Sequence, residues 1–309
     1  MLCLRGGDGT VSPRESKRSR DGRRGSPPPR GGGRGSAGRG APSRGAGGRA
    51  QPATGPRPQA PRGIGGEQVE GRQAVREMLL AGTRKVREIW LASDLDQSDI
   101  IDDIIELADD QRVPITEVAR KRLEAEARTD APQGVLAKAA PLPEYDLDDL
   151  ATKRRDGRPP FLLALDGITD PGNLGALLRS AEGAGVTGVV LPKHRSAHIT
   201  PTVAKTAAGA VEYLPMALVG GLPAALNDLK RHGLWVVALD GDEETSLFDM
   251  ADLGDQGVVL VLGAEGAGIS RLVRQRADVV VSIPMLGRLT SLNVSNAGAL
   301  ACYEIARRR

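Results

Sequence analysis

Two hydrophobic rhythms alternate along the chain from residue 67 onward. "EGRQAVREMLLAG" carries apolar residues at helical spacing and stops at Gly82. "VREIWLA" (86–92) reads as a strand. "SDIIDDIIELADDQ" places Ile100, Ile101, Ile104, Ile105, Leu107 and Ala108 on one helical face. "VPITEVA" is a second short strand, and a helix over 119–127 precedes "GVLAKAA" (134–140). Together these predict a compact α/β unit over 67–140. "PLPEYDLDDLATKRRDGRPP" (141–160) then breaks the pattern with Pro and charge and reads as a linker.

Beyond residue 160 the rhythm is regular. Apolar strands are predicted at "FLLALD", "GVVLP", "VEYLPM", "LWVVALD", "GVVLVLG" and "VVVSIP". Helices are predicted near 174–184, 201–209, 221–232, 268–276 and 292–307. Strands that are apolar throughout and separated by helices indicate a parallel sheet covered on both faces. Ligands of such sheets bind beyond the C-terminal strand ends.

Composition changes the picture at the front of the chain. Residues 1–66 hold 14 Lys/Arg against 3 Asp/Glu, with 18 Gly and 9 Pro, leaving 28 basic and 36 acidic groups for the rest. So polar a segment cannot offset its own ordering entropy, and a disordered basic tail is expected. Its dispersed Arg suits sequence-blind phosphate contact; mere solubilisation is the plainer alternative. No apolar run reaches the ~18–20 residues of a membrane helix. The two cysteines, Cys3 and Cys302, do not suggest a disulfide framework, so a reducing, cytoplasmic setting is the default. His194 and His198 are four apart with no third ligand near, and no metal is expected. Aromatics make up 2% of the chain, which argues against a single-strand binder that stacks bases on side chains.

Three loops at strand ends carry candidate chemistry. "DGITDPGNLGALLRSAEGAG" (166–185) sets Asn173 at a helix start and Arg179 six residues on; a helix cap and a solvated charge are the plain alternatives. "GAEGAGIS" (263–270) is a Gly-rich turn between strand and helix, with Glu265 between glycines. Its spacing, Gly263, Gly266 and Gly268, is not the dinucleotide fingerprint, and no P-loop lysine follows. "IPMLGRLTSLNVSNAGALACYE" crowds Thr290, Ser291, Asn293 and Ser295 at the mouth of the last helix. One side chain caps a helix, so at least one of these is spare.

In this order, "DPGNLGALLRSAEGAG", "LVLGAEGAGIS" and "IPMLGRLTSLNVSNAGALACYE" resemble the three motifs of the SpoU/TrmH group of RNA ribose methyltransferases, within the SPOUT class. The likeness covers essentially all of 161–309. The 67–140 unit, opening "EGRQAVREML", is similar to the small RNA-binding domain attached in many members. The resemblance implies a deep trefoil knot in the C-terminal sheet, a homodimer, and S-adenosylmethionine held by the backbone around Gly263, Ile283, Met285 and Leu292. It implies catalytic roles for Asn173, Arg179, Glu265, Ser291 and Asn293. Arg179 is expected to act as a fork on a phosphate beside the reacting ribose, since a guanidinium with pKa above ~12 is a poor base. Ser291 and Asn293 would orient the hydroxyl or the Arg, with Glu265 an acceptor.

The implied activity is methylation of a ribose 2′-hydroxyl in structured RNA, with a guanosine of large-subunit (23S) rRNA favoured by the two-domain layout. A tRNA enzyme and a non-catalytic ribosome assembly factor are the alternatives; an enzyme placing ATP or NAD phosphates on "GAEGAG" is disfavoured by the missing lysine. Neither DNA nor a membrane is an expected partner. The RNA grip of the acidic small domain is expected to be local, through Arg72, Arg76, Arg84, Lys85 and Arg87.

Overall fold

The computed structural model describes residues 63–194, 198–241 and 243–309. The tail predicted over 1–66 lies outside the described residues up to position 62. Its last four residues are folded: Ile64, the one branched apolar side chain of "PRGIGG", is buried in the core of the larger sheet, and its carbonyl accepts from Ile199 N.

The first sheet is built from β1 (Gln68–Glu70), β2 (Val86–Ala92), β3 (Ile115–Val118) and β4 (Val135–Ala139), in the order β1-β4-β2-β3. β4 runs antiparallel to β1 and β2, and β3 parallel to β2. Helices α1 (Arg72–Ala81), α2 (Asp99–Asp110) and α3 (Arg120–Glu126) connect them. Gly82 ends α1 in the left-handed conformation, φ 57°. The α2 face is narrower than its sequence suggests. Ile101, Ile104 and Ala108 are buried, whereas Ile105 is 43% exposed. A helix resting on one sheet buries a single stripe, and Ile105 stands one residue, about 100°, round from Ile104.

The segment expected as a linker is tied down. Leu142 and Leu150 are buried, α4 (Leu147–Thr152) forms, and Tyr145 N donates to Met216 O at 2.9 Å. Apolar residues at 142, 147, 150 and 151 between the charges supply that anchorage.

The second sheet contains β5 (Phe161–Asp166), β6 (Gly188–Pro192), β7 (Met216–Val219), β8 (Trp235–Leu239), β9 (Val258–Gly263) and β10 (Val279–Val281). Every pairing is parallel, in the order β10-β8-β9-β5-β6-β7. One strand differs from expectation. "VEYLPM" begins as a 3₁₀ turn at Ala210–Glu212, after Gly209 turns the chain at φ 85°, and β7 starts only at Met216, past Pro215. Helices α5 (Pro171–Gly183), α6 (Pro201–Thr206) and α9 (Val294–Arg307) cover one face; α4, α7 (Leu222–Arg231) and α8 (Arg271–Arg274) cover the other. Continuous apolar strands such as Phe161–Leu165, entirely buried, are what two covered faces require. No helix among the described residues is long and apolar enough to cross a membrane.

A buried ion pair joins the two sheets' domains. Arg84 Nη2 donates to Glu212 Oε1 at 2.6 Å and Nε to Oε2 at 2.9 Å, with both side chains at most 2% exposed. Arg84 Nη1 also donates to Gly66 O and Ala140 O. Tyr213 Oη donates to Glu77 beside it, at 2.8 Å. Arg84 is therefore an internal clamp and not the RNA contact expected of it, and Arg76 is bound to Asp103 and Glu77.

Candidate active site

The sheet's C-terminal edge gathers the loops. Asp166, last in β5, pairs with Gly263, last in β9; Leu239, last in β8, pairs with Leu262. The segments leaving these strands therefore start within a few ångströms of one another. Past Gly263 the chain folds back on itself: Ala264 and Gly268 exchange N–H···O bonds at 3.1 and 2.9 Å. A Cβ at Gly263 would lie 2.1 Å from the Gly268 carbonyl carbon, so only glycine permits this turn. Asp166 anchors its far side, accepting from Ser270 N at 2.6 Å.

On the opposite side α9 packs on α5 and β9. Gly298 allows the approach, since a Cβ there would come 2.2 Å from Leu177 and 2.7 Å from Leu262. This brings the start of α9 to the start of α5. Asn293 caps α9, its Oδ1 accepting from Ser295 N at 2.8 Å and Ser295 Oγ at 2.6 Å. With that oxygen used, its Nδ2 donates to Asn173 Oδ1 at 3.0 Å. Asn173 Nδ2 donates in turn to Glu265 Oε2 at 3.2 Å. One chain of amides and a carboxylate thus links all three loops. Asn173 is not itself the α5 cap: Asp170 is, accepting from Asn173 N at 2.7 Å, with Pro171 opening the helix.

Beside this chain lies a cleft of about 380 Å³, within the ≈300–1,000 Å³ of small-molecule sites. Gly263, Glu265, Ile283, Met285, Ser291 and Leu292, six of the nine residues singled out from sequence, line it. Asn173 and Asn293 join it through Glu265. Thr290 and Ser291 are surplus to capping and face the cleft. Arg179 stands apart. It is exposed, about 9 Å further along α5 than Asn173 at 1.5 Å per residue, and makes no hydrogen bond or ion pair among the described residues.

Sequence reasoning missed Asp240. It follows β8 directly, lines the cleft, and is held by Arg274 Nη1 at 2.6 Å, while Arg274 Nη2 grips Glu243 at 2.5 Å. An acid closing the apolar run "LWVVAL" at this edge of a parallel sheet was the available signal.

The cleft suits an amphipathic cofactor. Leu262, Ile283, Leu292 and Val294 give apolar walls for a flat ring; Asp240, Glu265 and Ser291 give polar ends for hydroxyl and amino groups.

Comparison with known proteins agrees with this geometry. Residues 160–303 match the model of the SpoU rRNA methylase family, and residues 68–145 the model of the RNA 2′-O ribose methyltransferase substrate-binding domain. The chain is 38% identical over 246 residues to a Pseudomonas putida protein named 23S rRNA (guanosine-2′-O-)-methyltransferase RlmB, covering 79% of this chain and 97% of the relative. It is 38% identical over 243 residues to a putative TrmH family tRNA/rRNA methyltransferase of Staphylococcus haemolyticus, covering 78% and 95%. The SpoU methyltransferase AviRb of Streptomyces viridochromogenes, solved in complex with AdoMet, superposes with a TM-score of 0.64 at 28% identity, over 78% of this chain and 89% of that one. The loop-built cleft, the two matched domains and these near full-length relatives agree: the chain belongs to the SpoU family of S-adenosylmethionine-dependent RNA 2′-O-methyltransferases.

Proposed function

We propose that this chain methylates the 2′-hydroxyl of a guanosine in 23S rRNA, in the cytoplasm, as a homodimer. The observation that carries the reading is the Asn293–Asn173–Glu265 chain at the rim of a cleft of cofactor size, with Ser291 spare beside it. The guanosine and the rRNA come from the name of the Pseudomonas putida relative.

S-adenosylmethionine supplies a methyl group on a positively charged sulfur with a neutral leaving group. The residues' task is to align the ribose and ease the hydroxyl proton's departure. Alignment alone is worth roughly 7–11 kcal/mol. Gly263, Ile283, Met285 and Leu292 hold the cofactor through backbone and apolar contact. Asn173 and Asn293 fix each other's amide orientation, and Ser291 orients the 2′-hydroxyl. Glu265 accepts from Asn173 and shapes the rim. Arg179 grips the phosphate next to the reacting ribose and stabilises the developing alkoxide.

Within one subunit Arg179 makes no hydrogen bond or ion pair to Ser291 or Asn293, which supports a site completed by dimerisation. Leu300 and Tyr303 on α9 are 46% and 55% exposed, and Tyr303 Oη lies close against Gly183 at the end of Arg179's helix. An exposed apolar face there fits a subunit interface. The trefoil knot belongs to the same reading. Its support is that the 247–253 segment wraps the end of α9: Leu253 N donates to Arg308 O, and Arg308 donates to Met250 O and Phe248 O.

Methyl transfer to 23S rRNA and to tRNA is the test. Arg179→Ala abolishes transfer to 23S rRNA, and Arg179→Lys, which keeps the charge but loses the fork, falls between. Full turnover by Arg179→Ala, or methylation confined to tRNA, would overturn the corresponding part.

A further inference from the structure

A second concave feature lies along the seam between the two domains. It is a groove of about 470 Å³, walled on one side by the loop from Arg128 to Gln133 and on the other by α6. Gly71 keeps it open at the start of α1. At φ 94°, a Cβ there would meet Gln133 Oε1 at 3.2 Å and Lys205 Cγ at 3.4 Å. The groove continues past Gln73 and Gln133 into a neighbouring hollow edged by Arg72.

Its charge stands out against its domain. Residues 67–140 contain 11 Lys/Arg and 16 Asp/Glu, so most of this surface repels a polyanion. Arg76, Arg84, Arg120 and Lys138 are bound to carboxylates. The three cations of the seam are not, and among the described residues neither are Lys85, Arg87, Arg112, Lys121 and Arg122, but the three of the seam gather on one groove and the hollow that adjoins it. Arg72 donates to Gln133 O at 3.3 Å and to Ser98 Oγ at 3.5 Å, Lys205 donates to Ala131 O, and Arg128 is exposed with no side-chain partner among the described residues. Asp130 is the one acid in the groove lining.

The groove's α6 wall packs against the helix that opens at the active site. Thr206 on its wall presses on α5: a Cβ at Gly175 would lie 2.6 Å from Thr206 Cβ. Gly175 is two residues past Asn173.

Resting on the RNA methyltransferase reading above, we propose that this seam groove grips the sugar–phosphate backbone of the substrate RNA, flanking the target nucleotide. Contributed by both domains, Arg72, Arg128 and Lys205 neutralise successive phosphates, and the RNA leaves the groove over α5 toward the cleft.

The test is binding of the full chain to transcribed 23S rRNA across a salt series, with calorimetric S-adenosylmethionine binding as control. Arg128→Glu with Lys205→Glu should weaken RNA binding at least about 10-fold and lower the salt slope by about 2, leaving cofactor affinity and melting temperature unchanged. Unchanged RNA affinity and slope would overturn the groove. So would an equal loss from Arg122→Glu, which lies over Trp90 outside it. A parent chain that neither binds nor methylates the RNA would overturn the RNA reading itself, and the groove with it.

Discussion

Replacing Glu212 by Gln leaves the Arg84 guanidinium buried without a counter-charge. Both side chains are at most 2% exposed, so water cannot compensate. Breaking such a pair from one side costs about 3–5 kcal/mol. At ~2–4 °C per kcal/mol for a body of this size, the melting temperature falls by about 6–20 °C. Arg84→Met strands the carboxylate at a similar cost and also orphans the Gly66 and Ala140 carbonyls that Arg84 satisfies. The double variant Arg84→Met/Glu212→Leu strands no charge. It still orphans the Gly66 and Ala140 carbonyls that Arg84 satisfies, at about 1–3 kcal/mol each. The singles therefore sum to about 8–16 kcal/mol and the double to about 2–6 kcal/mol. Denaturant unfolding of the four proteins measures the coupling. Effects that add within ~0.5 kcal/mol would show that the two groups do not act as a pair and would refute the reasoning.

Gly263→Ala drives a Cβ into the Gly268 backbone, which cannot rotate away, so the turn opens. Calorimetry should show cofactor binding lost in a chain with native circular dichroism; retained affinity contradicts the cradle. Glu304 is held down to about 2, first by its hydrogen bond from Arg307 and then by Arg308, despite burial pushing the other way. Its stabilisation is full above the ordinary carboxylate range and is lost as pH falls from about 4.5 toward 2. Glu304→Gln should flatten that acid limb of thermal stability, and parallel curves would exclude the assignment. Deleting residues 1–62 should weaken RNA binding most at low salt, and an unchanged salt slope would show the tail unengaged.

The strands at 161–166 and 188–192 are legible to the residue because each is an apolar run bounded by Pro, Gly or polar residues, and 86–92 because its β-branched and aromatic residues lie between Lys85 and Ser93. β1 is not, because two of its three residues are polar. Glu70 is fully buried there and satisfied by Gln68 Nε2 within the strand and by Arg128 N, Thr129 N and Thr129 Oγ1 far from it in sequence. Ile64 and Glu212 are illegible for the same reason: a lone apolar residue among glycines, and an acid in a run that reads as a strand, find their partners far off in sequence, in the larger sheet's core and in Arg84. At the site, sequence order gave the loops but not their wiring. The capping role of Asp170, the Asn293–Asn173 bond and the isolation of Arg179 depend on how α9 lies on α5, which Gly298 settles through Leu177 and Leu262.

β9 sits between β8 and β5, yet it is made long after β5: one ends at Asp166, the other at Gly263. At ~5–20 residues per second, the open side of β5 waits on the order of 5–20 s on the ribosome for its neighbour. During that time "FLLALD" offers unpaired backbone and apolar side chains to any strand in reach, including those of sister nascent chains. Synthesis of this protein thus passes through an adhesive interval that ends when its last but one strand slots into the middle of the sheet.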